Sequence, residues 1–75
     1  MDNRVNVGYE IISSFTVYKG FEYVIGYNKN AAAPFVVWDC SGGNDYSNGR
    51  YFSTYKEAAK LFCEFIKNTI RNIHY

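Results

Sequence analysis

TYKEAAKLFCEFIKNTIRNI, residues 54–73, is the one long helix the chain can make, and it decides the fold. Thr54 precedes it and Glu57 follows three residues later, a capping-box spacing in which each side chain can satisfy the other's free amide. At about 100° per residue, Ala58, Phe62, Phe65, Ile66, Thr69 and Ile73 share one face, with Leu61 and Ile70 at its margins. Lys56, Glu57, Lys60, Glu64, Lys67, Asn68 and Arg71 fall on the other. Such a helix needs an apolar sheet to lie on, and the residues before it read as that sheet.

Working back from the helix, Arg50-Tyr51-Phe52 reads as a short strand, announced by the Asn48-Gly49 turn signal. Asp39 to Gly49, rich in Ser, Gly, Asn and Asp, reads as the longest irregular stretch. Phe35-Val36-Val37-Trp38 is a short strand apolar on both sides. One of the pairs Phe35/Val37 or Val36/Trp38 meets the helix, and the other is exposed or covered by something else. Asn28 to Pro34 is a connection.

Tyr9 to Tyr18 and Phe21 to Asn28 alternate as strands about Lys19-Gly20. Two registers compete there. A two-residue turn pairs Tyr18 with Phe21 and mixes polar and apolar residues on both faces. A three-residue loop, Tyr18-Lys19-Gly20, pairs Val17 with Phe21 and gives Gly20 a positive φ. The second is preferred, because it gathers Ile11, Phe15, Val17, Phe21, Tyr23, Ile25 and Tyr27 on one face. Met1 to Asn6 reads as a polar, frayed end, although Val5 and Val7 could extend a strand.

The predicted fold is therefore α+β: an antiparallel meander of three to four strands with one C-terminal helix packed on one face, ββββα. Residues 1–75 are expected to form one domain, near the lower size for a single core.

Composition narrows the function. Eight basic and seven acidic side chains give a net charge of +1. That balance argues against an acidic DNA mimic and against a protein held mainly by phosphates. Cys40 and Cys63, with no apolar segment after Met1, predict a reduced pair in the cytoplasm. Cys63 is expected as an ordinary buried thiol at the helix's apolar margin. No run approaches the roughly 18 apolar residues of a membrane span.

No catalytic signature is present. His74 is the only histidine and the penultimate residue, a poor place for a general base or a Cys-His pair. Two Cys and one His are too few for a zinc site. Asp39, Ser41, Asn44 and Asp45 cluster oxygens without the spacing of a calcium loop. Ser41-Gly42-Gly43-Asn44 lacks the helix and lysine of a phosphate cradle. No cofactor is called for, and a non-enzymatic protein is expected.

The informative feature is the aromatic content, 20% of the chain, which one helix on one sheet face cannot easily hide. Tyr46 sits among Ser, Gly and Asn, the mixture that binding loops use. Exposed aromatic groups in a small protein point to an interface. The expected binding set is Trp38, Asn44, Asp45, Tyr46 and Tyr51, flanked by Tyr18. A rival is nucleic-acid binding through Lys56, Lys60, Lys67 and Arg71, with aromatic rings stacking on bases. A second rival is a homodimer whose open sheet faces meet.

Gly26-Tyr27-Asn28, Ala33-Pro34-Phe35-Val36-Val37-Trp38, Gly49-Arg50-Tyr51-Phe52 and Tyr55-Lys56-Glu57-Ala58 resemble short proteins of phages and bacterial mobile elements. The resemblance implies a compact accessory protein. Within that class, small inhibitors of bacterial defence systems, such as anti-CRISPR proteins, occupy a surface on a larger protein. It assigns no site residue. The partner it implies is a larger bacterial protein.

Overall fold

The computed structural model describes residues 2–72. Five strands, β1 (Val5–Asn6), β2 (Tyr9–Tyr18), β3 (Phe21–Tyr27), β4 (Phe35–Ser41) and β5 (Asp45–Phe52), pair antiparallel in chain order, and α1 (Tyr55–Asn72) follows. The α+β meander with a C-terminal helix is as expected. The sheet has five strands, not three or four.

The extra strand comes from the end expected to fray. Val5 pairs with Glu10 and Asn6 with Tyr9 across a two-residue turn. Val7 (φ +43°) and Gly8 (φ +87°) both take positive φ, as a type I′ turn requires. Glycine accepts this freely, but a β-branched residue is strained there.

Asp39 to Gly49 is also corrected. β4 continues to Ser41 and β5 begins at Asp45, so only Gly42, Gly43 and Asn44 form the turn. By propensity alone these turn-forming residues read as loop. The backbone edge of β4 gave them a ladder to join, and strand propensity yields readily to such context.

At the β2–β3 turn Tyr18 pairs with Phe21 across Lys19-Gly20, correcting the expected Val17–Phe21 pair. Val17 is bulged out, so from Thr16–Glu22 inward the register is that of the three-residue loop, with Phe15 opposite Tyr23 and Ser13 opposite Ile25. Gly20 takes φ +80°, the positive value expected of it. A second bulge at Ile12 puts Ile11 opposite Gly26. The expected apolar set therefore divides. Phe15, Tyr23 and Ile25 face the helix, while Ile11 turns to the opposite, inner face.

Ala58 of α1 is fully buried against Ile25 and Val37, with Phe35, Phe52, Leu61, Phe62 and Phe65 packed around them. The Tyr23 and Thr69 hydroxyls hydrogen-bond at 2.8 Å. Ile73 of the expected arc lies outside the described residues, as does His74. The helix start is close to the expected box. The Glu57 amide donates to Thr54 Oγ1 at 3.2 Å, and the Thr54 hydroxyl donates to Glu57 Oε1 at 3.0 Å. The Glu57 carboxylate thus takes the hydroxyl in place of the Thr54 amide.

Phe35 and Val37 are the pair that meets the helix, so Val36 and Trp38 turn to the inner face. That face is not open. Tyr9, Ile11, Val24, Val36, Trp38 and Cys40 form a second buried cluster on it. Bulges in β2 and β5 tighten the twist, and the sheet curls around these side chains. Residues 28–34 close one end, where Ala31 packs on the cluster and the Tyr9 hydroxyl donates to the Ala33 carbonyl at 2.8 Å.

Candidate binding surface

Trp38 organises the inner face. Tyr9 meets its ring edge-on at 5.7 Å and Tyr46 lies tilted at 5.4 Å. The indole lies across two strands, and both neighbours it crosses are glycine. A Cβ at Gly26 would come within 2.9 Å of the Trp38 ring, and one at Gly49 within 2.8 Å of its Nε1. At 4% exposure Trp38 cannot anchor a partner, which corrects the expectation of an open aromatic face. It holds the platform behind β5.

The far end of the inner face is closed by Arg4. Its guanidinium makes a bidentate pair with Glu22, Nη1 to Oε2 at 2.8 Å and Nη2 to Oε1 at 2.9 Å. Nη1 also donates to the Gly43 carbonyl at 3.1 Å, while Nε and Nη2 donate to the Asp2 carboxylate. All five N–H donors are thereby used. The hydrogen bond from the Arg4 side chain, helped by the Arg4 amide, lowers the Asp2 pKa to about 2. Burial pushes the Cys40 thiol up, and the nearby Glu22 carboxylate adds to this. The clamp was missed in the sequence. The available signal was a lone carboxylate, Glu22, on a strand face shared with Val24.

β5 is one outer edge of the sheet. It carries an extra residue between Ser47 and Arg50, against the single Trp38 of β4. Asn48 takes φ +57° there, a conformation asparagine tolerates. Asp39 of β4 pins the bulge: it accepts from the Ser47 hydroxyl and from Asn48 Nδ2, the latter at 2.7 Å. Asp45, Ser47, Asn48, Arg50 and Tyr51 are exposed along this ribbon. Tyr51, 51% exposed, packs one ring edge near Tyr9 at 6.0 Å. On the helix side a shallow cleft of about 320 Å³ runs between β5 and α1, lined by Phe52, Glu57, Lys60, Leu61 and Glu64.

The expected binding residues are thus only partly brought together. Trp38, Tyr46 and Tyr51 share the inner face. Tyr46 is half-buried against Trp38, and burial pushes its hydroxyl pKa up. It belongs to a strand, not to a free loop. Asn44 and Asp45 are exposed at the β4–β5 turn. Tyr18 lies on the helix face, stacked on Phe21 at 5.2 Å. The Gly42 amide donates to the Gly20 carbonyl at 2.9 Å, so the Tyr18 and Asn44 turns lie at the same end of the sheet.

Lys56, Lys60, Lys67 and Arg71 are exposed on the outer ridge of α1, with Glu57 and Glu64 on the flank beside the cleft. Cys63 is exposed, not buried as expected, because only a narrow arc of α1 rests on the sheet. Among the described residues no three His, Cys, Asp or Glu side chains converge as metal ligands. No helix among them is long and apolar enough to cross a membrane. Comparison of the chain with protein-family models, curated proteins and solved structures finds no match.

Proposed function

We propose that this chain is a non-enzymatic binding protein that covers a functional surface of a larger bacterial protein with its β5 ribbon. One observation carries the reading. An edge strand displays Asp45, Ser47, Asn48, Arg50 and Tyr51 to solvent on a backbone held from behind by Trp38 and Asp39. Tyr and Arg among small polar residues form the composition of binding surfaces, and rigidity limits the entropy lost on association. A partner strand added to this edge would meet the Phe52–Leu61 cleft on one side and Tyr51 on the other. The resemblance to accessory inhibitors of phages and mobile elements supplies the class of partner, and a cytoplasmic site of action goes with it.

The test is capture from a bacterial lysate with the wild-type chain, followed by equilibrium affinity for the captured protein at ~0.15 M salt. Tyr51→Ala is expected to weaken binding about thirtyfold, the effect of losing an aromatic anchor worth about 2 kcal/mol. Lys67→Glu with Arg71→Glu, which reverses charge on the outer ridge of α1 away from the cleft, is expected to change it little. Loss of binding on charge reversal, with Tyr51→Ala unaffected, would replace this reading with nucleic-acid binding along α1.

A further inference from the structure

The other outer edge of the sheet has a different composition and fits a different occupant. β1 covers only the start of β2, pairing with Tyr9 and Glu10. Among the described residues no strand lies on the outer side of residues 12–18, the side away from β3. From Ile11 to Tyr18 the sequence holds no charged residue, and Glu10 and Lys19 bound it. Edge strands usually carry a charge or a proline that blocks pairing with another chain. This one has only its two bulges, at Ile12 and Val17.

Between those bulges the strand is regular. Side chains on one face of a strand send their backbone N–H and C=O groups toward the same edge. The Ile11 amide, on the inner face, donates to the Arg4 carbonyl, on the outer side of β2. Ser14 pairs with Val24 and so shares that face, as does Thr16. Their backbone groups therefore point away from β3, into the open edge. Ser14 and Thr16 are placed symmetrically about Phe15.

Phe15 itself lies on the helix face, opposite Tyr23, and is 45% exposed. Leu61, Glu57 and Glu64 mark the flank of α1 toward β5, and the helical phase puts Ile66 and Ile70 on the opposite flank, toward β2. Phe15, Tyr18 and Ile70 are all among the exposed large apolar side chains.

We propose that two copies of this chain associate through their β2 edges, antiparallel, about a two-fold axis at Phe15. Ser14 of one copy lies opposite Thr16 of the other, and each such pair exchanges two backbone hydrogen bonds, so the axis generates four. The two Phe15 rings meet on the helix face, where a non-hydrogen-bonded pair brings side chains closest. The interface is isologous and sets no like charges against each other. A partner of different composition lacks this built-in match of register. Residues 12–18 span about 23 Å at about 3.3 Å each. With the α1 flank about 10 Å above the strand, the contact covers roughly 230 Å² on each copy. The total is below the roughly 1,000 Å² of a stable specific interface, so association rests on the four backbone hydrogen bonds and the Phe15 pair. The dimer is accordingly weak and concentration-dependent, and the β5 ribbons lie at its two far ends. This assembly is independent of the β5 reading above.

The test is sedimentation of the full chain from about 5 µM to about 500 µM. The weight-average mass should rise from 8.7 kDa toward twice that value. Phe15→Arg and Phe15→Glu should each remain monomeric, and mixing them should restore a dimer. Thr16→Pro removes only an outward-pointing amide. It should weaken association at least tenfold while the melting curve stays close to wild type, which keeps the test independent of any folding defect at Phe15. Amide exchange at Ser14 and Thr16 should slow as concentration rises. A wild-type chain that is monomeric at about 500 µM overturns the proposal. So does a dimer that persists in both Phe15→Arg and Thr16→Pro, since its contact then lies elsewhere.

Discussion

The β5 edge displays Asp45, Ser47, Asn48 and Arg50 over a bulge that Asp39 and the Trp38 ring hold in place. Residues 12–18 of β2 display Phe15 and Tyr18 with no charge, and the inner face behind this segment is polar, with Ser14 and Thr16 exposed. The β5 edge is fixed from within and polar outside. The exposed β2 edge is apolar on its helix side and lightly supported. Two edges of one sheet can therefore serve different contacts, because a strand edge offers the same backbone groups everywhere and its side chains decide what approaches them.

The largest effect should come from removing the support of β5. Trp38→Ala is expected to cost about 3–5 kcal/mol, as for a buried aromatic residue, and to speed amide exchange in β5 more than in residues 12–18 of β2. Equal loss of protection at both edges would show that they open as one unit and would remove the contrast.

Gly49→Ala is the narrower form of the same test. Its Cβ would meet Trp38 Nε1 at 2.8 Å and Cδ1 at 3.2 Å. Overpacking of a rigid ring costs about 1–3 kcal/mol. Phe15→Ala at the other edge removes a half-exposed ring and should cost less. Chemical denaturation of both variants measures the difference, and reversal of that order would mean that β2 is the better supported edge.

Acid should act mainly on the β2 side. The Asp2 pKa is lowered from 3.8 to about 2 by its bonds with Arg4. A carboxylate lowered on folding stabilises the fold above its unfolded value and ceases to do so as pH falls through the folded one. The Arg4 clamp should therefore loosen between about pH 4 and pH 2. Amide exchange at Ile11, whose N–H bonds to the Arg4 carbonyl, should rise there while β5 is less affected. Asp2→Asn should remove that pH dependence. An unchanged profile in the variant would show that another group governs the acid response.

The smallest effect is a gain. Val7 holds φ +43° in the turn that brings β1 back beside β2. Val7→Asn should stabilise the chain by up to about 1 kcal/mol, since asparagine accepts this conformation. A lower melting temperature would mean that the Val7 side chain, although exposed, has a packing role.

Much of the fold was legible. The apolar arc of α1 and the Thr54–Glu57 spacing marked the helix, and the alternation on either side of Lys19-Gly20 marked the central hairpin. These signals are local, since a helical period or a two-residue alternation is carried by neighbours in the chain. Of the candidate site, the interface-like composition around Tyr46 and Tyr51 was legible, but its division into a buried and an exposed tyrosine was not. The sequence by itself determined the class, the single helix and the central β2–β3 hairpin. Only the tertiary structure decided that 39–41 and 45–49 are strand, that Val17 and Ile12 bulge, and that the inner face closes over Trp38. Each of those outcomes depends on groups distant in sequence: Trp38 with Gly26 and Gly49, Arg4 with Glu22, Tyr9 with Ala33. A strand's neighbours set its register and burial, and nothing in the local sequence specifies which distant residues those neighbours will be.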